Sequence, residues 1–172
     1  KENTISNKLI KTISDLVYQS GDIRYGINLL WKSSKIAESQ DLKYITMECV
    51  RLGNQDIVPF STLDVLKYMI LQKVIFLLAI VKALKKSGKI QISSLVITNT
   101  YLILCENLGI QPRSYSQLWN YLQDFKRENL ITVEIKSEAI KGRKALVSFQ
   151  EISLSKFEEI IINILQSKGI KI

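Results

Sequence analysis

The sequence predicts a mainly α fold in two parts. A small three-helix bundle occupies residues 1–57, and a winged helix-turn-helix domain with a β-hairpin wing occupies residues 58–172. Three observations carry the prediction. Apolar residues recur at three- and four-residue spacing through most of the chain, the signature of amphipathic helices. Residues 131–136 and 145–149 instead alternate with a period of two, as strands do, on either side of a short loop. A stretch without helical period, Asn54 to Phe60 with Pro59 in it, separates two parts of different charge.

In the first part, Ile5, Leu9, Ile13, Leu16 and Val17 place one apolar stripe on a helix over residues 4–19. Ser20-Gly21-Asp22 stops that helix, and Asp22 caps the next, over residues 22–39, which carries Ile23, Ile27, Leu30, Trp31 and Ile36 at helical intervals. A third helix over residues 44–52 is expected to close on Gly53 as its C-terminal cap. In the second part, Ser61 to Asp64 cap one long helix over residues 61–87. Its Leu66, Met69, Ile70, Val74, Leu77, Leu78, Val81 and Leu84 form a broad apolar face, and Gly88 ends it. Ile90 and Ile92 flank Gln91 in a short edge strand, and a helix over residues 94–108 ends at Gly109. The helix over residues 114–129 gathers Leu118, Tyr121, Leu122 and Phe125 on one side. Two strands follow, Ile131, Val133 and Ile135 alternating in the first and Ala145, Val147 and Phe149 in the second, joined by a loop over residues 137–144. A helix over residues 153–166 closes the chain. Helix, strand, helix, helix, strand, loop, strand is the element order of a winged helix.

Composition limits the chemistry. There is no histidine, so the chain has no Ser-His or Cys-His pair and lacks the commonest metal ligand. Cys49 and Cys105 sit singly in helical stretches without metal-site spacing and are read as reduced structural thiols. No G-x-x-x-x-G-K-[ST] loop and no acidic pair ending an apolar strand is present, so no catalytic or metal residue is assigned and ATP hydrolysis is not expected of this chain. The longest apolar run, Val74 to Val81, is bracketed by Lys73 and Lys82, and residues 1–8 carry no secretory signal. A soluble cytoplasmic protein without membrane contact is expected.

The formal charge of +8 is unevenly placed. Residues 1–57 hold eight Lys and Arg against seven Asp and Glu, and residues 58–172 hold sixteen against nine, a net of +7. A basic domain beside a neutral one points to an anionic partner, nucleic acid first, although a solvated lysine-rich surface has the same composition. In a winged helix the third helix enters the major groove, where base edges are distinguishable. On that helix Ser116, Gln117, Asn120, Gln123 and Arg127 lie away from Leu118, Leu122 and Phe125, and Arg113 and Ser114 lead into it. Arg113, Ser114, Ser116, Gln117 and Asn120 are therefore the candidate readers of duplex DNA. Lys141, Gly142, Arg143 and Lys144 form a basic wing tip suited to a phosphate backbone or a minor groove.

The segment Gly21-Asp22-Ile23-Arg24-Tyr25-Gly26-Ile27-Asn28-Leu29-Leu30, continuing to Lys35-Ile36-Ala37-Glu38, resembles the lid domain of archaeal replication initiators of the origin-recognition and cell-division-control type. Ile45 to Val50 is similar to that family's third lid helix. The resemblance implies that Arg24 is a second sensor, reaching ATP or ADP with Mg²⁺ held by a preceding ATPase domain. It also implies that this sequence is the C-terminal part of a longer ATP-binding protein. Double-stranded origin DNA is the implied partner, with other initiator paralogues and the replicative helicase as further ones. Gly26 departs from the family's usual alanine, at an expected cost of about 1 kcal/mol of helix stability and a looser lid. Two other readings compete: a winged-helix transcriptional regulator, which would normally dimerise to read a palindrome, and a module that binds replication proteins rather than DNA.

Overall fold

The computed structural model describes residues 4–55, 57–58, 60–138, 142–149 and 153–171. The chain forms two compact units, residues Lys1–Asp64 with Glu151–Ser153, and residues Val65–Gln150 with Leu154–Ile172.

The first unit is built on α1 (Asn7–Ser20), α2 (Ile23–Ser39) and α3 (Met47–Gln55). Ser6 caps α1, its hydroxyl accepting the Leu9 N–H at 3.3 Å, and Gly21 closes the helix at φ 64°, a left-handed conformation that glycine adopts without cost. Asp22 caps α2 as expected, its Oδ1 accepting the Arg24 N–H at 2.9 Å. Leu9 and Ile13 of α1, Tyr25 and Leu29 of α2, Val50 of α3 and Ile57 beyond it form the core, with Ile5, Leu16, Val17 and Ile45 packed at its margin.

Three expectations need correction in this unit. The apolar residues whose spacing marks α2 are not its buried side: Ile23, Ile27 and Trp31 are 72%, 63% and 59% exposed. The inward face is made of Tyr25, Gly26, Leu29, Ser33 and Ala37. These are mostly small residues, which let a neighbouring helix approach closely and which a search for large apolar side chains passes over. Gly53 does not cap α3. It lies inside the helix, buried, where a Cβ would stand 3.2 Å from Ser33 Oγ and 3.5 Å from Leu29 Cδ1, so its missing side chain is what admits the α2–α3 contact. Gly26 is likewise a packing residue, since a Cβ there would collide with Cγ2 of Val17 on α1. Any gain in helix propensity from alanine would be met by overpacking, which costs about 1–3 kcal/mol.

The second unit begins in α4 (Phe60–Tyr68) and continues with α5 (Leu71–Ser87), β1 (Ile92–Ser93), α6 (Ser94–Asn107), α7 (Tyr115–Arg127), β2 (Ile131–Glu138), β3 (Gly142–Phe149) and α8 (Leu154–Ser167). This is the expected mainly α winged-helix order. The long helix expected over residues 61–87 is two helices, however. Ile70 is extended, at φ −64° and ψ 147°, and its carbonyl accepts the N–H groups of Lys73 and Val74 at 3.0 and 3.2 Å. No glycine, proline or capping side chain marks the break, and the apolar spacing runs straight through it. Beyond the break α5 is buried on every side, with Val74 through Val81 at most 1% exposed. A helix apolar all round is the centre of a domain, and α6, α7 and α8 are held to it. Phe76 meets Tyr101 of α6 edge-on at 5.4 Å and Phe125 of α7 at 6.2 Å, while Lys82 and Lys85 of α5 pair with Glu158 of α8.

The sheet order is β1-β3-β2, all antiparallel, with Ile92 opposite Val147 and Ile131 opposite Phe149. Ile131, Val133, Ala145 and Val147 are buried, but Ile135 is 59% exposed, so the outer half of the β2–β3 hairpin projects past the core as a wing. Among the described residues no helix is long and apolar enough to cross a membrane.

Candidate nucleic-acid interface

Helix α7 is fixed on its inner side by Leu118, Leu122 and Phe125, each at most 2% exposed. Its outer side, one turn and a half long, exposes Tyr115, Ser116, Gln117 and Asn120 to solvent, as does Arg113 immediately before it. Five of the residues expected to read duplex, Arg113, Ser114, Ser116, Gln117 and Asn120, thus lie together at the N-terminal end of one helix. Two of them also have a structural task. Ser114 is the N-cap and Gln117 occupies the third helical position, with Gln117 Oε1 accepting from the Ser114 N–H at 3.2 Å and from its hydroxyl at 3.3 Å, which closes a capping box. Ser116 and Asn120 are the base-reading candidates on α7 without such a bond among the described residues. Tyr115, 62% exposed at the first helical position, was not singled out from sequence. An aromatic ring there is recognisable only once the helix start is fixed.

Farther along α7, Arg127 turns back to Asp124, which Lys73 of α5 also engages at 2.7 Å from Nζ to Oδ2. Lys73 lies 5.6 Å from the centre of the Tyr121 ring. The Lys73 ammonium hydrogen-bonded to Asp124, with Arg127 beside it, holds the carboxyl below the ordinary carboxylate range against the opposing effect of burial. Arg127 therefore serves the helix rather than its outer face.

The wing differs from expectation. The hairpin ladder continues to Glu138 opposite Gly142, so Gly142, Arg143 and Lys144 belong to β3 and not to an eight-residue loop. Lys141 lies outside the described residues. The sequence reading ended the strand early because Ser137 to Lys144 breaks the apolar alternation. Backbone pairing outlasts that alternation wherever a hairpin leaves the core. The register sets Lys144 directly opposite Lys136, which sequence reasoning missed because only the register reveals the pair. Two lysines at one ladder position place positive charge on one face of the wing, the sign that a phosphate backbone needs.

In the first unit Arg24 is exposed at the second position of α2. Its own N–H is held by the Asp22 cap, and its guanidinium has the planar fork of donors that pairs with phosphate oxygens.

Comparison with known proteins places both units. A model described as the Cdc6 AAA+ ATPase-type lid domain matches residues 1–55, and one described as CDC6, C terminal winged helix domain, matches residues 64–157. The ORC1-type DNA replication protein 2 of Sulfolobus acidocaldarius is 28% identical over 167 residues, which is 94% of this chain and 40% of that protein. Its counterpart in Saccharolobus solfataricus is 26% identical over 86% of this chain and 37% of its own length. Among solved structures, Cdc6p from Pyrobaculum aerophilum aligns over 98% of the chain and 44% of its own, with a TM-score of 0.57 and 29% identity. The Aeropyrum pernix ORC1 protein, solved in complex with DNA, aligns over 99% and 43%, with a TM-score of 0.61 and 18% identity, a likeness of fold. This chain spans about two fifths of the length of the curated relatives it matches. With both parts matched in order, the chain belongs to the Cdc6 family of ORC1-type DNA replication proteins and carries that family's lid and C-terminal winged helix domains.

Proposed function

We propose that this chain recognises double-stranded DNA at a replication origin through α7 and the β2–β3 wing, and that its first unit senses ATP held elsewhere in the parent protein. The observation that carries the DNA reading is the solvent-facing polar end of α7, Arg113 to Asn120, in a domain of net +7 whose wing sets Lys136 against Lys144. The same fold in the Aeropyrum protein solved with DNA supports it. Duplex binding by the 172-residue chain should be measurable by fluorescence anisotropy and steeply salt-dependent. Neutralising about four phosphates gives a log-log slope near −3.6. Lys144→Ala should weaken binding to any duplex and shallow the slope by about 0.9, whereas Asn120→Ala should cost about 1–3 kcal/mol on a sequence enriched from a random library and much less on a shuffled one. Gln117→Ala is a poorer probe because it also opens the capping box. Absence of salt-dependent binding would overturn the reading and favour protein interaction, for which α6 offers exposed Leu95, Val96, Leu102 and Ile103.

For the first unit, Arg24 is the proposed ATP sensor, and the exposed Ile23, Ile27, Leu30 and Trp31 beside it are the surface that the rest of the parent covers. The parent itself, an AAA+ protein by family, is the proposed carrier of ATP or ADP with Mg²⁺. Arg24→Ala in the full-length protein should abolish the difference in DNA affinity between its ATP and ADP states while leaving the duplex affinity of this chain unchanged. Full retention of the nucleotide response would remove Arg24 from the role.

A further inference from the structure

The segment that delivers α7 to its place is held from inside the domain by side chains that have no part in the proposed DNA surface. Residues 108–114 join α6 to α7. Gly109 takes φ 63°, and Pro112, which has no N–H to donate, stands between Gln111 and Arg113. The main chain on either side of the proline is bound by two side chains. Tyr101 of α6 accepts the Arg113 N–H on its hydroxyl oxygen at 3.1 Å and donates its proton to Gln72 Oε1, and Gln72 Nε2 donates to the Gln111 carbonyl at 2.9 Å. Gln72 opens α5, the central helix, and Tyr101 is fully buried against Phe76 of that same helix. A phenol is protonated at neutral pH and burial raises its pKa further, so the hydroxyl has one proton to donate, and Gln72 Oε1 accepts that hydrogen bond. A relay from the core helix through Tyr101 and Gln72 therefore ends on Gln111 and Arg113, which flank Pro112 just before the N-cap of α7.

We infer that Tyr101 and Gln72 are positioning residues for sequence recognition: without touching DNA, they set where the N-terminal turn of α7 stands and hence which base edges Ser116, Gln117 and Asn120 meet. The inference rests on the DNA-binding reading above and deepens it. Base edges are read by short directional hydrogen bonds, which need donors and acceptors held to within about 0.5 Å. Attraction to phosphates is long-ranged and tolerates small displacements. Freeing the turn should thus erode discrimination and spare general affinity. A defect in the folding of the domain would lower both.

The test is Tyr101→Phe, which keeps the ring in its packing and removes the hydroxyl, together with Gln72→Met, which keeps the length and neutral charge of the side chain and removes its bonds to Tyr101 and to the Gln111 carbonyl. Gln72 is half-buried at the start of its helix, so this second variant leaves the core untouched should the first fail to fold. Each 172-residue variant is titrated against the duplex enriched from a random-sequence library by the unsubstituted chain and against a shuffled duplex of the same composition. The ratio of the two affinities should fall about tenfold in either variant, with affinity for the shuffled duplex and its salt slope changed by less than about twofold. An unchanged ratio in both variants, with DNA binding intact, would overturn the positioning role alone. Equal losses on the two duplexes would also overturn it, marking a purely structural defect. No salt-dependent affinity in the unsubstituted chain would overturn the DNA reading and this role together.

Discussion

Replacing Phe76 by alanine should cost the second unit about 3–5 kcal/mol, the range for emptying a buried aromatic site that cannot collapse. Phe76 is 1% exposed on a helix enclosed all round, and its ring is the meeting point of three others: Tyr101 of α6 at 5.4 Å, and Phe125 and Tyr121 of α7 at 6.2 and 6.3 Å. Removing it forfeits the transfer energy of the ring and the geometric preference of each aromatic pair, about 0.5–1.5 kcal/mol apiece, and leaves a void between helices pinned by other contacts. A domain stabilised by roughly 5–15 kcal/mol cannot absorb such a loss without a large fall in its melting temperature. Urea denaturation followed by circular dichroism measures it, with Tyr115→Ala as the control. That ring is 62% exposed at the start of α7, and its loss should shift stability by no more than about 0.5 kcal/mol. A Phe76→Ala cost below about 1 kcal/mol would mean that α5 is not the support of the recognition helix.

The central position of Phe76 was readable in outline, because the unbroken apolar run from Val74 to Val81 leaves a helix no side for water. α7 was readable for the opposite reason: Leu118, Leu122 and Phe125 contrast sharply with the polar residues between them. α2 misled where the contrast reversed. Its large apolar residues face outward and its small ones inward, and periodicity weights a side chain by its size rather than by how closely two backbones approach at Gly26 and Gly53. The break at Ile70 left no trace because a backbone carbonyl, which every residue possesses, caps α5.

The candidate site divides along the same line. Polar residues on one helical face, Ser116, Gln117 and Asn120, follow from spacing alone, and so does a basic hairpin. What could not be read is whatever depends on pairing at a distance. Lys136 gains its meaning from a register that only the ladder supplies, and Tyr101 and Gln72, 29 residues apart, are joined by hydrogen bonds that composition cannot encode. Gln117 illustrates a third limit, since one side chain at one position satisfies both a helix-capping and a DNA-reading pattern.

Asp124→Asn should destabilise the second unit by about 1–3 kcal/mol at neutral pH, because it removes one partner of an ion pair that is largely shielded from water and leaves the other without its counter-charge. Lys73 and Asp124 are only 20% and 21% exposed, which separates this pair from surface pairs such as Lys35 with Glu38, at 56% and 68%, where solvent screens most of the attraction. The pair also fastens α7 to α5, and Lys73 adds a contact with the Tyr121 ring. Its pH dependence has a definite sign. The Asp124 carboxyl is held below its ordinary value, chiefly by the hydrogen bond from Lys73. Between that lowered value and the ordinary carboxylate value of about 4, the unfolded chain therefore binds more protons than the folded one. The stabilisation is complete above about pH 4 and is lost as pH falls through the folded-state value. Urea midpoints measured across acid pH should thus fall more steeply for the unsubstituted chain than for Asp124→Asn, with the two curves converging at the acid end. Parallel curves separated by a constant offset would show that the asparagine acts through packing and that the ion pair contributes nothing to the anchoring of α7.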